Sequence, residues 1–168
     1  MRVFLDTNIL VDVAENRQGA AQAAAILQLG EEGHIDLCAS YLSYANMGYI
    51  WRNVPRHKRY ERIRNACTGI EVLPMDASQL YNGLQQEVKD YEDMLQYQCA
   101  IAAGCDVIIT NNTRDYREYC TLPFMSSRDF LLQYFQSHCS RPSRLFRKGG
   151  HKLENSVRAR PYHLLTKT

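Results

Sequence analysis

The sequence predicts a parallel α/β sheet with helices on both of its faces. Three observations carry that expectation. Short apolar or β-branched runs alternate with longer stretches of helical spacing, the order that builds strand–helix–strand units with right-handed crossovers. Two of the runs, Arg2-Val3-Phe4-Leu5 and Asp106-Val107-Ile108-Ile109-Thr110, lead straight into polar loops that hold the carboxylates Asp6 and Asp115. The breakers Gly33, Pro55, Pro74 and Gly104 fall between the runs, where they stop helices and turn the chain.

In chain order, the first strand ends at Asp6, and a short helix is expected from Ile9 to about Glu15. A longer one follows over 20–32, with Ala24, Ile26, Leu27 and Leu29 apolar and Gly33 as its stop. Ile35 to Ala39 reads as the second strand. Ser40 caps a helix over 41–53, in which Leu42, Ala45, Tyr49 and Ile50 can share a face. The basic stretch from Arg56 to Arg64 opens a helix to about Cys67. It reads as a solvated face, with phosphate contact and a stacking role for Tyr60 as the functional alternative. Ile70 to Leu73 is the third strand, and Asp76 caps a helix to about Val88.

The most informative interior stretch is Asp90-Tyr-Glu-Asp-Met-Leu-Gln96, which opens a helix that stops at Gly104, with Leu95, Cys99 and Ala102 directed inward. Asp90 and Glu92 in its first turn suit the positive end of the helix dipole. Asp93 is harder to explain that way, because it lies on the stripe of Gln96 and Ala100 that turns toward the core. A carboxylate aimed inward needs a partner, often a metal. After the strand over 106–110, Asp115 reads as the cap of a short helix from Tyr116. Pro123 to Ser126 is expected as a brief last strand, and Ser127 as the cap of a final helix through Phe135.

Asp6 by itself reads equally as a helix cap and as a site acid. The carboxyl edge of a parallel sheet, where the strand order reverses, is where ligands collect, and it would bring Asp6 and Asp115 together.

Net charge is +2 overall, yet residues 138–168 hold eight Lys and Arg against the single Glu154, whereas residues 1–137 sum to −5. The expectation is therefore a domain over 1–137 and a basic tail over 138–168, unstructured or serving as an arm for phosphates. The six cysteines form no CxxC pair or zinc-like spacing, and Asp6 interrupts the amino terminus before any secretory apolar region develops. With no run long and apolar enough to span a bilayer, a cytoplasmic protein with free thiols is expected and a membrane partner is excluded.

The segments Leu5-Asp-Thr-Asn-Ile-Leu10, Asp90-Tyr-Glu-Asp-Met-Leu-Gln96 and Ile108-Ile-Thr-Asn-Asn-Thr-Arg-Asp-Tyr116, in this order and at these intervals, resemble the PIN domain superfamily. The likeness covers about residues 1–135, including Ser40-Tyr-Leu-Ser-Tyr-Ala-Asn46 and Ser127-Arg-Asp-Phe-Leu131. It implies a three-layer α/β/α sandwich on a mainly parallel sheet of four to five strands. It also implies a Mg²⁺- or Mn²⁺-dependent endoribonuclease, often the toxin of a toxin–antitoxin pair, with RNA as substrate, an antitoxin protein as partner and a homodimer as assembly.

Carried over by position, Asp6, Asp93 and Asp115 are the catalytic and metal-binding acids, and Glu92 stands beside them as a further ligand. Asn8, Asn46, Thr110 and Asn112 support them by hydrogen bonding. Arg56, Lys58, Arg59 and Arg114 are the candidate RNA contacts. Asn46 and Asn112 are amides where many relatives carry acids. A catalytically weak or inactive module that binds RNA or protein is therefore the alternative function. A phosphatase with Asp6 as nucleophile fits less well, since it would want an acid at position 8 and the residue there is Asn.

Overall fold

The computed structural model of the chain describes residues 1–139. The basic tail expected over 138–168 lies almost wholly outside the described residues.

Five parallel strands, β1 (Arg2–Leu5), β2 (Asp36–Ser40), β3 (Glu71–Leu73), β4 (Val107–Ile109) and β5 (Phe124–Met125), form one sheet in the order β3-β2-β1-β4-β5. The helices are α1 (Thr7–Glu15), α2 (Ala20–Glu31), α3 (Tyr41–Ile50), α4 (Arg56–Ala66), α5 (Ala77–Leu84), α6 (Tyr91–Ala102), α7 (Thr113–Tyr116) and α8 (Ser127–Cys139). The expected three-layer sandwich is what forms.

Strand periodicity divides the core. Val3 and Leu5 point to one face of β1 and Phe4 to the other. On the first side, Val3 and Leu5 pack with Ile9, Leu10, Ile26, Met47 and Phe130 from α1, α2, α3 and α8 and with Trp51 just past α3. On the second, Phe4, Cys38 and Ile108 pack against Met94, Tyr97, Ala100 and Tyr116 from α6 and α7. The sheet is covered on both sides, which is why its strands are almost continuously apolar. Cys38, Cys99 and Cys105 are buried free thiols in the second of these clusters.

The strand order reverses between β1 and β4, whose register pairs Val3 with Val107, Phe4 with Ile108 and Leu5 with Ile109. One residue further along each strand, Asp6 and Thr110 are therefore neighbours. The Asp6 N–H continues the ladder to the Ile109 carbonyl at 3.0 Å.

Several local expectations are corrected. The helix α3 buries Ser43, Tyr44 and Met47, followed by Trp51 just past its end, while Ala45, Tyr49 and Ile50 are exposed. The apolar face expected from Leu42, Ala45, Tyr49 and Ile50 is thus not the one that packs. Ser43 is drawn in by a buried hydrogen-bond network to Gln96, and Tyr44, Met47 and Trp51 follow it at i+1, i+4 and i+8. In α6, Cys99 is buried and Leu95 half-buried, whereas Ala102 is exposed. The helix α5 ends at Leu84, not near Val88, because the amides of Gln85 and Gln86 fold back onto the carbonyls of Asn82 and Gly83. Asp115 lies inside α7, whose cap position is Asn112. At α8 the capping hydroxyl belongs to Ser126, which accepts from the Asp129 N–H at 3.2 Å, and the helix continues four residues past Phe135 to Cys139.

Candidate metal centre

The site lies at the carboxyl edge of the sheet, where β1 passes into α1. Asp6 occupies the position before α1, but its side chain makes no capping hydrogen bond to that helix. It instead accepts from Asn8 Nδ2 and from Thr110 Oγ1, each at 2.6 Å and both on Oδ2. Asn8 Nδ2 also reaches Thr110 Oγ1 at 3.2 Å, and its Oδ1 accepts from the Asn111 N–H at 3.0 Å. The β1–β4 neighbourhood thus fixes the first acid from two strands. Asp6 is only 2% exposed.

Asp93 arrives from the opposite layer. Asp90 caps α6 by accepting from the Glu92 and Asp93 N–H groups at 3.1 and 3.2 Å, which orients the first turn so that Asp93 turns inward, 7% exposed. Glu92 stays at the surface of that turn. Its Oε1 accepts from Asn46 Nδ2, and from Gln96 Nε2 at 3.4 Å and Thr7 Oγ1 at 3.5 Å. One turn on, fully buried Gln96 accepts from Ser40 Oγ at 2.7 Å and donates to Thr7 Oγ1 at 2.7 Å. This hub locks α6 to α1 and to the β2–α3 junction.

The loop after β4 closes the arrangement. The Asn112 N–H donates to Thr110 Oγ1 at 2.9 Å, and Asn112 Nδ2 donates to both Asp93 Oδ2 at 3.0 Å and Asp115 Oδ2 at 2.8 Å. Asp115 also faces Lys89 Nζ at 3.8 Å. Asp90, Asp93 and Asp115 offer oxygens that all lie within 4.8 Å of one another. Asp6 is not part of that group; it meets Asp93 across an open cleft of about 270 Å³ whose walls also carry Asn46, Tyr49, Glu92 and Arg17.

Crowding shows in the acidities. Burial pushes Asp6 up to about 6, against the downward pull of its Thr110, Thr7 and Asn8 hydrogen bonds. Asp93 is pushed up to about 8, by burial first and then by the negative charges of Asp6, Asp90 and Glu92, with Asn112 alone pulling down. Clustered carboxylates repel until a cation or a proton joins them. The donor set is all oxygen, carboxylates with amide and hydroxyl support, and fits a hard divalent cation that keeps several of its waters.

Of the residues expected at the site, Asp6, Asp93, Glu92, Asn8 and Asn46 line the cleft, with Thr110 and Asn112 holding the acids from β4. Asp115 joins through Asn112. Arg56, Lys58 and Arg59 lie on α4 and do not line the cleft, and Arg114 is exposed next to Asp115 in sequence. Asp90 was legible only as a first-turn acid suited to the helix dipole, and it is the cap of α6. Its place beside Asp93 and Asp115 depends on the α6–α7 approach, which sequence spacing does not reveal. Arg17 and Tyr49 carried no sequence signal for the cleft.

Fold and site together define a class: a parallel α/β/α sandwich with an acidic cleft at the carboxyl ends of the two strands flanking its switch point. A family model for the PIN domain matches residues 2–114, more than half of the chain, and the chain belongs to that family. It is 26% identical over 124 residues to Ribonuclease VapC1 of Aquifex aeolicus, covering 68% of this chain and 84% of the relative. Its fold is shared with VapBC-1 of nontypeable Haemophilus influenzae, at a TM-score of 0.61 and 18% identity over 76% of this chain and 99% of that one. It is also shared with VapBC2 of Rickettsia felis bound to a promoter DNA fragment, at 0.60 and 15% over 75% and 98%. Among the described residues no helix is long and apolar enough to cross a membrane.

Proposed function

We propose that the chain is a divalent-metal-dependent endoribonuclease, the toxin of a toxin–antitoxin pair, in which Asp6, Asp93 and Asp115 are the functional acids. The observation that carries this reading is the pair of buried carboxylates, Asp6 at the end of β1 and Asp93 from α6, facing one open cleft with raised pKa values. Membership of the PIN domain family and the likeness to a protein named Ribonuclease VapC1 support the activity. The likeness to VapBC structures supports an antitoxin as partner.

Asp6 and Asp93 would hold a Mg²⁺ or Mn²⁺ ion, with Asp115, Asp90 and Glu92 adding negative charge nearby. Such an ion, when bound, supplies a water of lowered pKa and neutralises charge on a phosphoryl group. The protein's own part is positional. Asn8 and Thr110 both donate to Oδ2 of Asp6, which fixes the rotation of the carboxylate at the cleft wall. Asn112 spaces Asp93 from Asp115 with one amide group. Gln96 holds the start of α6 against α1, which sets the width of the cleft.

Replacing Asp6 or Asp93 with Asn is expected to strip RNA cleavage in Mg²⁺ or Mn²⁺ while the protein stays folded. Cleavage at the wild-type rate in either variant refutes the assignment. Calorimetric titration with Mn²⁺ separates this function from a module that binds RNA without cutting it, since that module takes up no metal at Asp6.

A further inference from the structure

We propose that Tyr49, Arg52, Arg59 and Tyr60 form a track on α3 and α4 that receives the unpaired nucleotides beside the bond to be cut, with bases on the tyrosine rings and phosphates on the guanidiniums. The inference rests on the nuclease reading above and adds to it the residues that position the substrate.

The row begins in the cleft itself, because Tyr49 lines the same cavity as Asp6, Asn46 and Asp93. Tyr49 is 69% exposed, and the Arg52 guanidinium lies 4.5 Å from the centroid of its ring. Arg52 is held there by donating from Nη1 to the Tyr49 carbonyl at 3.2 Å. Arg59 continues the row, donating from Nη1 to the Arg52 carbonyl at 3.2 Å and lying 5.8 Å from the centroid of Tyr60. Tyr60, 55% exposed, opens in turn onto a hollow shared with Arg56, His57 and Arg64.

Each of these features has a recognition consequence. An arginine stacked on one face of an exposed tyrosine orients the ring and leaves the other face to a base. A guanidinium has five N–H donors, and one bond to a carbonyl leaves most of them for phosphate. The helix α4 reaches the core only through its half-buried Ile63 and Ala66, and Arg56, His57, Lys58, Tyr60 and Arg64 are exposed. From Arg52 to Arg64 there are six Arg and Lys against the single Glu61, on a body whose residues 1–137 are net negative. Stacking favours unpaired over duplex RNA, because bases inside a helix offer no free face.

The test is fluorescence anisotropy with a labelled ten-nucleotide single-stranded RNA and a duplex of the same length. The full chain is used, carrying Asp6→Asn and in EDTA so that binding is read without cleavage. Tyr49→Ala and Tyr60→Ala are each expected to weaken single-strand binding about tenfold, within the range for loss of one stacked base. Tyr60→Phe keeps the ring and is expected to stay within about twofold. Arg52→Ala with Arg59→Ala should lower the slope of log affinity against log salt by about 1.4, as for two lost single-strand phosphate contacts. With Asp6 restored and metal present, Tyr60→Ala should raise KM and leave kcat nearly unchanged. Wild-type affinity in both alanine variants overturns the track while leaving the nuclease reading intact. Equal affinity for duplex and single strand, or no RNA binding by a chain that still binds a protein partner through this face, overturns it too. If the tyrosines govern RNA binding but the chain never cuts, the track stands and the nuclease reading fails.

Discussion

Replacing Asp93 with Asn should make the metal-free protein more stable near neutral pH, although it removes a proposed ligand. Asp93 is held at about 8 in the fold against an ordinary value of 3.8. The folded state therefore keeps a proton that the unfolded chain has already released, and stability falls as pH rises from about 4 to about 8. Near pH 7 the interval spans about 3 pH units, which at about 1.4 kcal/mol each would cost about 4 kcal/mol. Water in the open cleft and relaxation of neighbouring acids reduce the expected gain from Asn to about 2 kcal/mol, or about 4 to 8 °C in melting temperature for a chain of this size. The amide can still accept from Asn112 at the position of Oδ2. Thermal melts in EDTA from pH 4 to 9 provide the measurement. Wild type and Asp93→Asn should coincide near pH 4 and diverge steadily from there to about pH 8. A residual slope between 4 and 6 should persist in the variant, because Asp6, held at about 6, titrates there in both. Adding Mn²⁺ should stabilise the wild type far more than the variant. Superposed melting curves across the pH range, or a variant that is the less stable one near pH 8 in EDTA, would refute the reasoning.

Two further outcomes follow from packing and hydrogen bonding. Gly30 sits in α2, where alanine would ordinarily favour the helix, but a Cβ there would lie 2.3 Å from Leu37 Cδ1 and 2.7 Å from its Cγ; Gly30→Ala should therefore lose about 1 to 3 kcal/mol by overpacking, read from urea denaturation. Gln96→Leu should cost about 2 to 4 kcal/mol, because it strands the Ser40 and Thr7 hydroxyls in the interior, and the same melts should show Mn²⁺ binding weakened as α6 loosens from α1.

Much of the fold was legible because strands buried on both faces are apolar runs, and such runs announce themselves between glycines and prolines. Asp93 was legible because its spacing to Gln96 and Ala100 put a charge on an inward stripe. The same logic failed for α3. Periodicity counts apolar side chains, and it placed Tyr49 and Ile50 inside; the packed face carries Ser43, a polar residue made inward by a partner fifty residues away on α6. That misreading also hid the cleft's Tyr49. Asp115 looked like a cap because the helix was expected to start one turn late. Its bridging amide, Asn112, looked only like a missing acid, and sequence offers no sign that its two N–H groups reach two different carboxylates.

The hydrogen bond from Thr110 to Asp6 joins residues 104 positions apart, and Asp115 comes later still. A ribosome adding about 5 to 20 residues per second needs roughly 5 to 20 s between the first of these acids and the last. Through that interval the nascent chain holds half a site. Under the proposed nuclease function, the chain therefore cannot act on RNA until its domain is nearly complete.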